Sequence, residues 1–535
     1  MSNYRPGPQR PKSSSQLQFE AMQRRIGQRF GEFGDREAAA EDVDPFDDNH
    51  LKPTLRIIAG LFVVSAAVTY TIGTQSRILN IVAALVVGGL LSHALTRYPV
   101  HISARHFLAA ALFLEAATDI PTFWKPPLAF ADVAFYASLK DFAGVPGMSL
   151  PFFFFGALYL LYRARRETRR NEDIVPPPKQ AMNLLTAFLV AVVALEAFGL
   201  ARGGNLQPSF FQILHLLTLP IVAMAFLYAF RGTEDLPAIG TIIVAVAVAR
   251  SALCFGTYFL LAWKFRTEEG FFVTTHADTV LFSTAIFCLI AYAIEDRQRR
   301  VVTRCLALAA AVFVGVALNN RRLAFVSLGA APAMMYLSLK PSATKAKVTR
   351  AAFVVAGLVL AYTIVGSQAE GDSPLWKPAK LAMSVLDQKD NSSESRDIEN
   401  YNLIYTMSQS PIVGTGFGWE YKEKLLVYDI SKLFALYRYI AHNGVLWIWS
   451  VGGVVGFTAL WVIYPATMTL GIRAYRTAEQ PVERAAALAS IGVVVATLAQ
   501  IWGDQGWNSY LTLILFSLAF ATAARLEAKG QDAPA

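Results

Sequence analysis

The chain has 535 residues, of which 54% are hydrophobic and only 16% charged, with a mean hydropathy of +0.40; a soluble globular protein carries roughly 25% charge. The formal net charge of +9 sits mostly in short loops between apolar runs, so it reports orientation in a membrane and not a nucleic-acid surface. The three cysteines, Cys254, Cys288 and Cys305, lie within or at the edge of apolar runs and read as small hydrophobes, with no disulfide framework or metal cluster implied.

Residues 1–52 form a cytoplasmic tail with a basic half (Arg5, Arg10, Lys12, Arg24, Arg25, Arg29) and an acidic half (Glu37, Glu41, Asp42, Asp44, Asp47, Asp48). No apolar signal core precedes Leu55. The tail is either disordered or folds an amphipathic helix over Gln16 to Phe30, with Leu17, Phe19, Met22, Ile26 and Phe30 near one face.

About 14 apolar runs of spanning length follow. They start near Leu55, Arg77, Ala104, Met148, Ala181, Phe210, Ala238, Thr274, Thr303, Arg322, Arg350, Asn443, Arg484 and Trp507. The predicted fold is therefore an all-α polytopic membrane protein. Residues 53–180 are read as N-terminal accessory helices, 181–367 as core helices, 368–441 as one large outer loop, 442–526 as C-terminal helices and 527–535 as a second tail. Basic clusters at Arg163 to Lys179, Arg297 to Arg304, Lys340 to Arg350 and Arg473 to Arg484 occupy alternate loops. Short cytoplasmic loops retain Lys and Arg, which puts both termini inside and the 368–441 loop outside.

Smaller features fall between these runs. Val175 to Lys179, with three prolines in a row, is a stiff linker. Thr122 to Gly147, rich in aromatics, suits a short interfacial helix. Glu115, Glu196, His215, Arg250, Asp278 and Asp504 are polar groups in or beside apolar runs, and such groups are functional candidates by default. Arg202, Lys264 and Arg266 are outer-side cations suited to holding an anionic donor.

The outer loop carries the strongest pattern. Asn391 to Ser395 offers N-caps for a helix from about Arg396 to Ser408, which places Arg396 and Asn400 on one face. Ser410-Pro411 stops that helix, and Gly414, Gly416 and Gly418 make a tight turn. A second helix is expected from Trp419 to Tyr439. Tyr401, Tyr405, Trp419 and Tyr421 either stack on sugars or seat the loop on the membrane. The loop ends at His442-Asn443, where the chain re-enters the lipid; this histidine, among seven in the chain, is either a helix-start residue or a general base for a sugar hydroxyl. On the outer side, Arg321 and Arg322 follow Asn319-Asn320. They either snorkel to lipid phosphates or clamp a pyrophosphate through their planar forks.

Taken in order, three motifs between roughly Cys305 and Gly456 resemble the O-antigen ligase and polymerase family of bacterial membrane glycosyltransferases. They are Asn320-Arg321-Arg322-Leu323-Ala324; Ser393-Glu394-Ser395-Arg396 with Pro411 through Gly418; and His442-Asn443-Gly444 with Gly452 through Gly456. Arg321 stands where the family has serine, so the family arginine is Arg321 or Arg322, and the residues that follow favour Arg322. The resemblance implies a GT-C-like enzyme of the bacterial inner membrane. It would transfer, with inversion and without a metal or other cofactor, an oligosaccharide from undecaprenyl pyrophosphate to a sugar hydroxyl.

In that expectation His442 is the base, with Asn443 or a neighbouring carbonyl setting its tautomer. Arg322, Arg396 and Arg321 hold the pyrophosphate, and Gly414, Gly416 and Gly418 support them. The acceptor is a growing O-antigen or exopolysaccharide repeat in a polymerase, which the extra N-terminal helices and paired arginines favour, or the lipid A-core in a ligase. Membrane lipids, a flippase and a chain-length regulator are the other partners implied. A transporter of lipid-linked sugars is the rival from another class, although no paired broken helices mark two repeats.

Overall fold

The computed structural model describes residues 48–73, 77–115, 135–136, 150–260, 273–296, 298–319, 321–369, 376–384, 391–427, 429 and 436–532. These residues form helices and no strand. In chain order they are α1 (Asp48–Gly73), α2 (Arg77–Arg97), α3 (Val100–Phe113), α4 (Phe152–Arg170), α5 (Lys179–Ala201), α6 (Leu206–Ala229), α7 (Leu236–Leu260), α8 (Asp278–Glu295), α9 (Arg299–Asn319), α10 (Arg322–Ser338), α11 (Ala343–Gln368), α12 (Lys377–Ser384), α13 (Asn391–Gln409), α14 (Gly444–Trp461), α15 (Ile463–Thr477), α16 (Pro481–Gly503) and α17 (Tyr510–Asp532). The expected amphipathic segment Gln16 to Phe30, most of the Thr122 to Gly147 segment, Lys264, Arg266 and Asn320 lie outside the described residues.

Each apolar run read from the sequence falls on a helix. Among the described residues ten stretches are long and apolar enough to cross a membrane. Of the remainder, α3 has 14 residues and α10 has 17, and α4 carries Arg163, Arg165, Arg166, Arg169 and Arg170 in its second half. The run expected to begin at Asn443 is two helices, α14 and α15, which meet at Val462.

α16 and α17 form the centre. α16 packs on α8, α10, α14, α15 and α17, and α17 packs on α6, α15 and α16. Their sequences explain this position. α16 is built from Ala, Gly, Val, Ile and Leu on all sides, and a helix apolar all round is stable when it is surrounded. Small residues let neighbours approach: Gly492 faces Phe287 of α8 and Gly471 faces Ile491. α3 and α4 pack on α7 and α6 respectively. At the other extreme α11 rests on the short α12 and turns Phe353, Leu358 and Leu360 outward, as a helix bathed in lipid does.

Candidate active site

Helix α13 starts within the polar run expected to cap it and ends where Ser410-Pro411 begins. Ser410 then accepts from Gly414 N at 3.0 Å, and Gly414, Gly416 and Gly418 take φ values of 68, 78 and 84. L-residues rarely adopt that conformation. The turn threads between membrane helices: Phe417 N donates to Leu195 O of α5 at 3.4 Å, Gly418 N to the side chain of Gln212 at 2.7 Å, and Asn205 N to Gly418 O at 2.8 Å. Trp419 reaches Gly199 O at 3.3 Å through its indole N–H.

The same turn completes a broken helix. Gly453 interrupts α14 with φ 56 and ψ −163, a region open essentially to glycine alone. The backbone groups released by the break pair with the loop: Val454 N donates to Pro411 O at 2.9 Å and Val455 N to Ile412 O at 3.1 Å. Ser450 O accepts from Thr415 N at 3.1 Å and Val451 O from Gly416 N at 2.9 Å. Non-helical backbone at membrane depth is tolerated where protein satisfies it in this way.

The helix expected over Trp419 to Tyr439 is corrected. Residues 419–427 are irregular chain and 436–439 a turn. The side chains of α13 explain it: Asn402 Oδ1 accepts from the N–H groups of Lys424 and Leu425, both at 2.9 Å, and Thr406 Oγ1 accepts from Lys422 N at 2.8 Å. Donors bound to side chains cannot also close helical turns. Tyr421 N meets Arg438 O at 3.0 Å, which folds the segment back on itself.

His442 emerges beside α13. Its Nδ1 lies 3.1 Å from Glu399 Oε2 and 3.3 Å from Oε1, and its backbone N–H donates to Oε2 at 3.1 Å. The Glu399 side chain is 7% exposed and that of His442 32%, so a buried carboxylate fixes an imidazole that substrate can reach. With Nδ1–H given to Glu399, Nε2 carries the lone pair. Asn443 does not set the tautomer: its side-chain oxygen caps α14 by accepting from Val445 N and Leu446 N, both at 3.2 Å, two donors that a helix start leaves unmet. Buried Tyr421 lies beside Glu399, and burial followed by that charge raises its phenol.

A second histidine belongs to the cluster. His276 sits in the turn before α8, and its Nδ1 contacts Asp504, which ends α16. Burial, then the charges of Arg321, Arg396 and His442, push the His276 imidazole down to about 3. The fold thus gathers Arg321, Arg396, His442 and His276 from four separate stretches of chain. Arg321 precedes the first turn of α10, in extended conformation. Arg322 is the first residue of that helix. Arg202 is committed elsewhere: it donates to Gly414 O at 3.1 Å and lies over the Phe198 ring, so it braces the glycine turn.

Residues 306–461 match the family model described as O-antigen ligase. This stretch is similar to an O-antigen ligase domain. It runs from α9 to the end of α14 and so contains Arg321, Arg396, Glu399, His442 and the broken helix, while His276 and Asp504 lie on either side of it. No curated protein matches the chain. O-antigen ligase and polymerase proteins are enzymes of the membrane glycosyltransferase type that act on lipid-linked glycans.

The sequence reading missed Glu399 and His276. Glu399 had a signal, for it stands three residues after Arg396 on a helix the sequence predicts, and positions three apart share a face. His276 had none, because only the tertiary fold brings it to Asp504.

The remaining polar residues are structural. Arg250 and Asp278 form a buried two-pronged pair at 2.6 and 2.9 Å, and Arg250 also donates to Phe113 O and Glu115 O. Glu115 accepts from Leu511 N at 3.3 Å and Glu196 from the Ser209 hydroxyl at 2.8 Å. His215 packs against the Tyr510 ring.

Proposed function

We propose that the protein is a glycosyltransferase of the bacterial inner membrane, with cytoplasmic termini and residues 368–441 in the periplasm. It moves a glycan from undecaprenyl pyrophosphate to a sugar hydroxyl. The observation that carries this reading is His442, held by Glu399, in the same cluster as Arg321 and Arg396.

In the transfer the acceptor oxygen attacks the anomeric carbon and its proton passes to His442 Nε2. The bond from that carbon to the pyrophosphate oxygen breaks, and its electron pair leaves with the pyrophosphate. A single displacement inverts the anomeric configuration. Glu399 stabilises the imidazolium, and the guanidinium groups of Arg321 and Arg396 stabilise the growing charge on the leaving group.

Two acceptors suit this base. The ligase description of the matched domain favours lipid A-core, and the additional N-terminal helices favour joining of repeat units. A deletion strain complemented with wild type or His442→Ala separates them when its surface glycan is resolved by size and attachment. Single repeats on the final acceptor mark a polymerase, and full-length glycan stranded on its carrier marks a ligase. Loss of a general base is expected to slow transfer about 10²- to 10⁴-fold; normal glycan from His442→Ala would return the protein to the transporter class.

A further inference from the structure

Two carboxylates of the cluster each hold a histidine, yet the transfer step above uses one of them. The second histidine is tied to the first by backbone. Gln505, next to Asp504, is the sole non-glycine residue with positive φ among the described residues, at φ 52 and ψ 34. It donates its N–H to His442 O at 2.8 Å. L-residues rarely adopt this left-handed conformation, and here it turns one dipeptide so that Asp504 meets His276 while Gln505 meets His442. Gly503 fits against Leu323 in the first turn of α10, which brings Arg321 to the same place. On the far side the Arg250–Asp278 pair fixes the first residue of α8, two positions after His276.

We propose that His276 is a phosphate-side residue of the transfer site, taking a proton from solvent when the donor's pyrophosphate enters and returning it when the product pyrophosphate leaves. This rests on the glycosyl-transfer reading and extends it.

The charged and titratable groups that face His276 are Asp504 from the end of α16, Arg321 before α10, Arg396 of α13, and His442 with Glu399 behind it. Without a donor, burial first and then the guanidinium charges disfavour an imidazolium, and His276 is neutral. A pyrophosphate between the arginines cancels those charges and leaves Asp504 to stabilise the protonated ring. Nδ1 is engaged by Asp504, so the new donor is Nε2–H. The His276 side chain is 39% exposed, which gives the proton a route from solvent. Binding that raises a group's pKa strengthens as pH falls, so donor affinity gains a pH dependence that belongs to His276.

The test is calorimetry of undecaprenyl pyrophosphate binding to the purified full-length protein, at several pH values and in buffers of different ionisation enthalpy. Titration of the ligand itself is common to every variant and cancels in comparison. Wild type is expected to take up more protons on binding than His276→Gln, and to gain more affinity as pH is lowered. Equal uptake and equal pH slopes would overturn the proposal. Should His276→Gln fail to fold, Asp504→Asn serves: uptake is expected to move to lower pH, and uptake unchanged from wild type would be the contrary result. Transfer by His442→Ala is measured alongside. An active His442→Ala enzyme with His276-dependent uptake would sink the base assignment alone, whereas an inactive one without that uptake would sink the present proposal alone.

Discussion

Glu399→Gln tests the catalytic geometry most directly. The substitution keeps the size of the side chain and one carbonyl oxygen, but it removes the charge that faces both His442 Nδ1 and His442 N at 3.1 Å. Two consequences follow. The amide's NH2 group competes for Nδ1 and favours the tautomer with the proton on Nε2, the nitrogen meant to accept. The imidazolium formed during transfer also loses its counter-charge. A hydrogen bond to a charged group contributes about 1.5–3 kcal/mol, and the wrong tautomer in a comparable acid–base pair lowers turnover about 10⁴-fold. The expected fall in kcat is therefore about 10²- to 10⁴-fold, equivalent to about 3–5 kcal/mol of barrier. Apparent affinity for the donor should stay near wild type, because Glu399 is not assigned to the pyrophosphate. Single-turnover transfer from a fluorescent lipid-linked oligosaccharide, in protein reconstituted into nanodiscs, separates these quantities. Wild-type kcat in Glu399→Gln, with the protein shown to be folded, would refute the reasoning.

Arg321→Lys is expected to weaken donor binding about 10- to 100-fold, through loss of a two-pronged, charge-assisted contact, while Arg322→Lys stays close to wild type; titration with undecaprenyl pyrophosphate reads both, and the reverse order would reassign the arginine. Gly453→Ala forces a Cβ into the backbone of Ile412 at a φ that L-residues avoid, so thermal unfolding in detergent should show a loss of at least about 1–2 kcal/mol. An unchanged melting temperature would mean that the break in α14 is not fixed by its contacts with the loop.

The parts of the fold set by local pattern were readable from the chain. Spanning length and apolarity placed the helices, and the polar caps and Ser410-Pro411 placed α13. In the candidate site, His442 stood out in the sequence because it marks a change of environment at the end of the loop, and the structure sets it against Glu399. The sequence leaned to Arg322 over its neighbour; the structure sets Arg321 in extended chain just before α10 and Arg322 in the first turn of that helix, and the charge of Arg321 acts on His276. Asn443 looked like a partner for its neighbour's imidazole, but the helix start claimed it. The expected helix after Trp419 failed because Asn402 and Thr406, about twenty residues earlier, take its backbone donors. Pairings across such distances have no periodic signature.

The broken α14 also sets an order of assembly. Four backbone bonds join residues 411–416 to residues 450–455, so the turn emerging first from the ribosome has nothing to close against until the helix behind it has been made. Asp504 and Gln505 come later still. The residues of the candidate site are scattered from His276 to Gln505, so each waits for those that follow it in the chain. A chain that stops short of Gln505 therefore lacks part of the candidate site, whatever helices it has already made.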